Sequence, residues 1–157
     1  MPRKFEVATA AGTFDHFHEG HEQFLRDVFN IADTIYIGIT SDAFAKSKKQ
    51  LSEITPFVDR KKDVESYLSA NDFGKRAHII ELDDIYGPTL DPICNFEAII
   101  VTENTRYGAE LINKLRKQKG LPSLVIEQVA YLIAKDGGDL SSSRIRAGEI
   151  DRGGNSV

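Results

Sequence analysis

Three of the four histidines, His16, His18 and His21, fall inside the decapeptide GTFDHFHEGH that runs from Gly12 to His21. His18 and His21 stand three apart, so if a helix begins there they project from one face of its first turn. Gly20 between them lets a substituent approach the backbone closely. A helix N-terminus offers unbonded N–H groups and the positive end of the helix dipole, which suits phosphate oxygens, and imidazoles extend that donor set. Phosphoryl and nucleotidyl transfer need donors placed around phosphorus more than a protein nucleophile, because the charge to be stabilised rests on phosphate oxygens. A lone histidine here would read as a solvent-exposed loop residue or a cap, but the clustering points to a site. Three ring nitrogens could also serve zinc, although the turn spreads them and no fourth ligand is evident. The second histidine comes one residue too early for the HExxH pair of a metalloprotease.

Two further groupings carry phosphate chemistry. Ser141, Ser142 and Ser143 precede Arg144 and Arg146 in DLSSSRIRAGEID. Hydroxyls and N–H groups at a helix start beside a planar guanidinium make a cradle for nucleotide phosphates, with ordinary serine capping as the plainer account. The loop SDAFAKSKKQ carries Lys46, Lys48 and Lys49, and of these Lys46 and Lys49 are favoured to grip a polyphosphate as mobile ammoniums. The basic residues of RKKDVE read as the wet face of a helix, with at most a supporting role for Arg60. Cys94 has no neighbouring histidine and reads as a small core or loop residue. The chain contains no GxxxxGK[ST] loop, no GxGxxG and no GxSxG elbow, which removes P-loop kinases, dinucleotide dehydrogenases and serine hydrolases.

These groups need a scaffold that brings distant segments to one rim. The short apolar runs 5–11, 34–40, 77–82, 97–102 and 124–129 are mostly β-branched and nearly continuous, as buried parallel strands are. Between the first two, Phe24, Leu25, Val28, Phe29 and Ala32 recur with helical spacing. A second helix is expected after Thr55 as cap and Pro56 in the first turn, with Phe57, Val64, Tyr67 and Leu68 along one side. A third carries Tyr107, Leu111, Ile112 and Leu115 on one stripe, Asn104 as cap, and Gly120 with Pro122 as the stop. The alternation predicts a Rossmann-like α/β fold, a doubly wound parallel five-stranded sheet with helices on both faces. Ligands in such folds sit beyond the carboxyl ends of the strands where strand order reverses, and the histidine loop ends the first strand.

A length of 157 residues predicts one domain, over 1–150, with the glycine-rich segment 151–157 as a flexible tail. A net charge of −4 argues against nucleic acid as the main partner. The single cysteine fits a reducing compartment, and no segment has the apolar length of a signal core or a membrane span, so a soluble cytoplasmic protein is expected.

The histidine loop and the serine–arginine segment, in that order, resemble the HxGH nucleotidyltransferase superfamily. DDIYGPTLDP (83–92), VTENTRYGAELINKLRKQKGL (101–121) and DLSSSRIRAGEID (139–151) narrow the resemblance to the archaeal type of phosphopantetheine adenylyltransferase, and it spans almost the whole chain. The chain departs from that pattern at Ala11, where a glycine is usual, and at Asn104, where an acid is more common. The resemblance implies transfer of AMP from ATP, with Mg2+ on its phosphates, to 4′-phosphopantetheine, and a monomeric enzyme. His18, His21, Lys46, Lys49 and Arg144 would be catalytic. Gly12, Thr13, Phe14, Gly20, Glu103, Ser141, Ser142 and Ser143 would bind ATP or substrate, with Thr13 on the acceptor phosphate. Another HxGH nucleotidyltransferase, of the cytidylyltransferase or flavin-nucleotide type, and a non-catalytic ATP-binding domain stay open as alternatives.

Overall fold

The computed structural model describes residues 3–48 and 54–130. Lys49, Ser141, Ser142, Ser143, Arg144, the domain limit at 150 and the tail 151–157 lie outside the described residues. Five parallel strands, β1 (Phe5–Gly12), β2 (Ala32–Thr40), β3 (Ala77–Leu82), β4 (Ala98–Val101) and β5 (Val125–Gln128), form one sheet in the order β3-β2-β1-β4-β5. The helices are α1 (Glu19–Ile31), α2 (Asp42–Lys48), α3 (Phe57–Ala70) and α4 (Arg106–Gln118). Among the described residues no helix is long and apolar enough to cross a membrane.

The sheet is sealed on both faces, which is why its strands read as continuous apolar runs. Ala8 and Ala10 of β1, Ile35, Ile37 and Ile39 of β2 and Ile100 of β4 meet Leu25, Val28 and Phe29 of α1 and Val64 and Leu68 of α3. On the other face Ile99 and Val101 meet Ala109 and Ile112 of α4. A Cβ at Gly38 of β2 would collide with the Leu82 side chain, so glycine there leaves room for the last residue of β3 to pack across the strand. The strand order reverses between β1 and β4, placing the crevice at the carboxyl end of β1. Ala11 lies inside β1 opposite Gly38 and outside the left-handed region, so its methyl is accommodated where glycine is usual.

Four local expectations change. The segment expected as a loop around Lys46 is the helix α2, started by Ser41, whose Oγ accepts from the Phe44 N–H at 3.1 Å. Thr55 does not cap α3; Pro56 stands at that position without a side-chain bond, while the Thr55 N–H donates to Asp15 Oδ1 at 3.1 Å. Asn104 does not cap α4 either. Thr102 and Thr105 form a reciprocal box around the 3-10 turn Glu103–Thr105 that feeds the helix, because only Thr102 sits where its backbone is still extended. Tyr107, expected on the apolar stripe, is 76% exposed, and Ala109, Ile112 and Arg116 take the inner side of α4. Arg116 gains its place by donating to the carbonyls of Pro122 and Thr89, which satisfies a charge that helix position alone would send to water.

Candidate active site

The site is built where β1 runs out. A Cβ on Gly12 would lie 3.0 Å from the Phe14 ring, so any larger residue there would have to push that buried ring aside. The chain then passes through Phe14 at φ 55 and His16 at φ 48, left-handed positions that cost non-glycine residues about 1–3 kcal/mol each. Burial and hydrogen bonding hold this turn in place. Phe14 is 2% exposed and Asp15 fully buried; Asp15 Oδ1 accepts the Thr55 N–H, and its Oδ2 faces His16 Nε2 at 3.9 Å.

That strained turn delivers His18 to the N-cap of α1. His18 Nδ1 accepts the Gly20 N–H at 3.0 Å, and His21 Nδ1 accepts the His18 N–H at 3.2 Å. Two imidazoles thus do what a serine and a glutamate do in an ordinary capping box. Because each Nδ1 is an acceptor, the proton of each neutral ring sits on Nε2. The rings stack at 3.8 Å and 18°, so the two donors belong to one rigid unit at the positive end of α1. His21 is held from behind by Phe17, at 5.4 Å, and by Phe14, at 5.3 Å. Phe17 rests in turn on Tyr67 of α3, whose hydroxyl donates to the Glu22 carbonyl at 3.1 Å. Burial pushes the Tyr67 phenol above its ordinary range, with Arg26 acting in the opposite sense.

The second half of the rim is the end of β2. Thr40 is 2% exposed and its Oγ1 lies 3.1 Å from Thr13 Oγ1, the half-buried residue after Gly12. Beneath both lies Arg60 of α3, completely buried. Its Nε donates to the Thr55 carbonyl at 2.7 Å. Nη1 donates to the carbonyls of Thr13 and Thr40 at 2.9 and 2.8 Å, and Nη2 pairs with Asp42 Oδ1 at 2.8 Å. Asp42 Oδ1 also accepts the Phe57 N–H, tying the start of α2 to that of α3. The expectation that RKKDVE is a solvated face therefore fails at Arg60. The sequence held the signal: Arg60 follows Phe57 by three and precedes Val64 by four, so it belongs to the apolar stripe.

The structure brings His18, His21, Gly12, Thr13 and Gly20 together at the carboxyl end of β1. Phe14 is there as well, but its ring is the wall behind His21 and is closed to a ligand. Lys46 is exposed on α2, one residue after the buried Ala45, and Glu103 is exposed on the 3-10 turn beyond β4. At this rim the half-buried Thr13 and His21 bring a hydroxyl and an imidazole to the start of α1, with His18 Nε2 buried beside them, and such groups at a strand end and a helix start are the chemistry of an anion site.

The cytidylyltransferase-like family model matches residues 9–148. A phosphopantetheine adenylyltransferase from Methanothermobacter thermautotrophicus is 41% identical over 151 residues, 96% of this chain and 89% of that protein. One from Pyrococcus abyssi is 40% identical over 154 residues, covering 98% of this chain and 97% of its own. Among solved structures, a protein of unknown function from Archaeoglobus fulgidus superposes with a TM-score of 0.70 at 28% identity, over 87% of this chain and 99% of that one.

Proposed function

The chain belongs to the cytidylyltransferase-like family, among the archaeal phosphopantetheine adenylyltransferases, and from that membership we infer that it transfers AMP from ATP to 4′-phosphopantetheine. An oxygen of the 4′-phosphate bonds to the α-phosphorus of ATP as the bond to the β-phosphate oxygen breaks. The products are dephospho-coenzyme A and pyrophosphate. The observation that carries this reading is the stacked His18–His21 cap at the switch point of the sheet.

A phosphate dianion is already nucleophilic, so the protein's task is alignment and charge stabilisation, not general base work. Thr13 holds the acceptor phosphate, while the Nε2–H groups of His18 and His21 meet oxygens of the α- and β-phosphates, where negative charge grows. Lys46 and Lys49 add mobile positive charge, and Ser142, Ser143 and Arg144 hold the departing pyrophosphate. Glu103 lines the nucleotide side. Magnesium comes with ATP as part of the substrate. The nearby carboxylates support this, since Asp15 and Asp42 direct oxygens at Thr55, Phe57 and Arg60. That all the assigned groups come from one chain supports a monomer, and phosphorylated metabolites as substrates support a cytoplasmic protein.

The test is pyrophosphate release from purified protein with Mg–ATP, with and without 4′-phosphopantetheine, and the mass of the nucleotide product. The expected result is release that depends on the acceptor and yields dephospho-coenzyme A. Release only with CTP, or only with another acceptor phosphate, overturns the substrate assignment; ATP binding without release overturns the enzyme.

A further inference from the structure

A guanidinium donates hydrogen bonds and never accepts them. Arg60 Nη1 donates its two protons to the carbonyls of Thr13 and Thr40 at 2.9 and 2.8 Å and lies 3.4 Å from Thr40 Oγ1, which shares one of those protons, so on that side the Thr40 hydroxyl is the acceptor. A threonine hydroxyl has a single proton, and that of Thr40 goes to Thr13 Oγ1, 3.1 Å away. Thr13 Oγ1 then accepts from inside the protein, which leaves its own proton for a partner other than Thr40, and Thr13 stands half-buried on the rim. We propose that Arg60, Thr40 and Thr13 form a one-way hydrogen-bond relay that fixes the Thr13 hydroxyl as a donor to the acceptor phosphate, with Thr40 as its positioning residue.

The physical need for such a relay is specific. A phosphate dianion offers only lone pairs, and a freely rotating hydroxyl presents a lone pair to it as readily as a proton. Orienting the rotor beforehand removes that cost, and bonds in series from a buried cation polarise one another in the donor direction. Thr40 is buried beneath Thr13 and acts through it. Arg60 is also fastened to three backbone carbonyls and Asp42, so its own replacement would disturb the fold; Thr40 is the position that isolates the relay.

The inference rests on the reading that Thr13 meets the acceptor phosphate, and the experiment separates the two. Thr40→Val keeps the side-chain shape without the hydroxyl, Thr40→Ala removes it without overpacking, and Thr40→Ser restores it. The expected result is a loss of about tenfold in kcat/KM for 4′-phosphopantetheine in Thr40→Val and Thr40→Ala, the scale of one bond to a charged group. The KM for ATP stays within about twofold, and Thr40→Ser recovers the wild-type value. Calorimetry without turnover, comparing 4′-phosphopantetheine with unphosphorylated pantetheine, should show the preference for the phosphate shrinking by the same factor in Thr40→Val. Equal binding of 4′-phosphopantetheine by wild type and Thr40→Val overturns the relay, as does a serine variant as impaired as valine. Failure of the wild type to bind 4′-phosphopantetheine overturns the proposed function instead.

Discussion

A histidine that caps a helix through Nδ1 can meet a substrate only through Nε2, so at His18 structure and chemistry occupy opposite atoms of one ring. The two roles can be separated by substitution. An asparagine in place of His18 would put an amide oxygen where Nδ1 now accepts the Gly20 N–H, and asparagine is among the best N-caps, yet it presents nothing where Nε2 stands. His18→Asn should therefore unfold within a degree or two of wild type while kcat falls by about 10²–10³, the effect of deleting one transition-state donor. His18→Ala should lose the same activity and about 1 kcal/mol of stability besides. Steady-state kinetics and thermal melts on the pair check this, and a His18→Asn protein with unchanged kcat would remove the imidazole from the reaction. The histidine cluster and its role at a helix start were legible in the sequence because they depend on neighbours three residues apart. That the two rings stack, with both Nδ1 atoms committed to N–H groups, depends on the fold of the turn.

At the scale of elements, α3 supports the site from beneath through Arg60 and Tyr67. The raised phenol of Tyr67 gives this support a pH signature. The native state keeps the proton beyond the ordinary value of 10.0, so between that pH and the higher native value unfolding releases a proton and stability falls as pH rises. Below pH 10 the contribution is complete. Tyr67→Phe loses the bond to the Glu22 carbonyl, about 1 kcal/mol, at neutral pH but has no phenol to titrate. The gap between wild-type and Tyr67→Phe melting temperatures should thus narrow above pH 10. A gap constant from pH 9 to pH 11 would show that burial does not favour the neutral phenol. The helical spacing of α3 was readable, and so was its apolar side. Arg60 was misread because it was grouped with its basic neighbours on the face opposite Phe57, Val64 and Leu68, although its own spacing, three after Phe57 and four before Val64, puts it on their side.

At the scale of the molecule, two strand ends and one helix start are locked before any ligand arrives, so binding should act on the native state with little rearrangement of the histidine loop. Mg–ATP at a hundred times its Kd should add about 2.7 kcal/mol to stability, and for a chain of 157 residues that raises Tm by roughly 5–10 °C. A melt series against Mg–ATP concentration checks this, and a Tm independent of concentration would show that the native protein does not bind the nucleotide. The sequence by itself determined the class of fold, the five strands, the principal helices and the place of the histidine loop at the end of β1. All of these follow from short continuous apolar runs, from the 3.6-residue helical period and from short spacings, which the chain encodes locally. It missed α2, where a seven-residue helix in a polar stretch buries too little to leave a stripe. Only the tertiary structure decided that Arg60 reaches Thr13 across 47 positions and Thr40 across 20, and that Arg116 reaches Thr89 across 27. Such contacts depend on which strands become neighbours and how closely a helix settles on them, and there a buried cation is stable because backbone carbonyls from several segments converge on it.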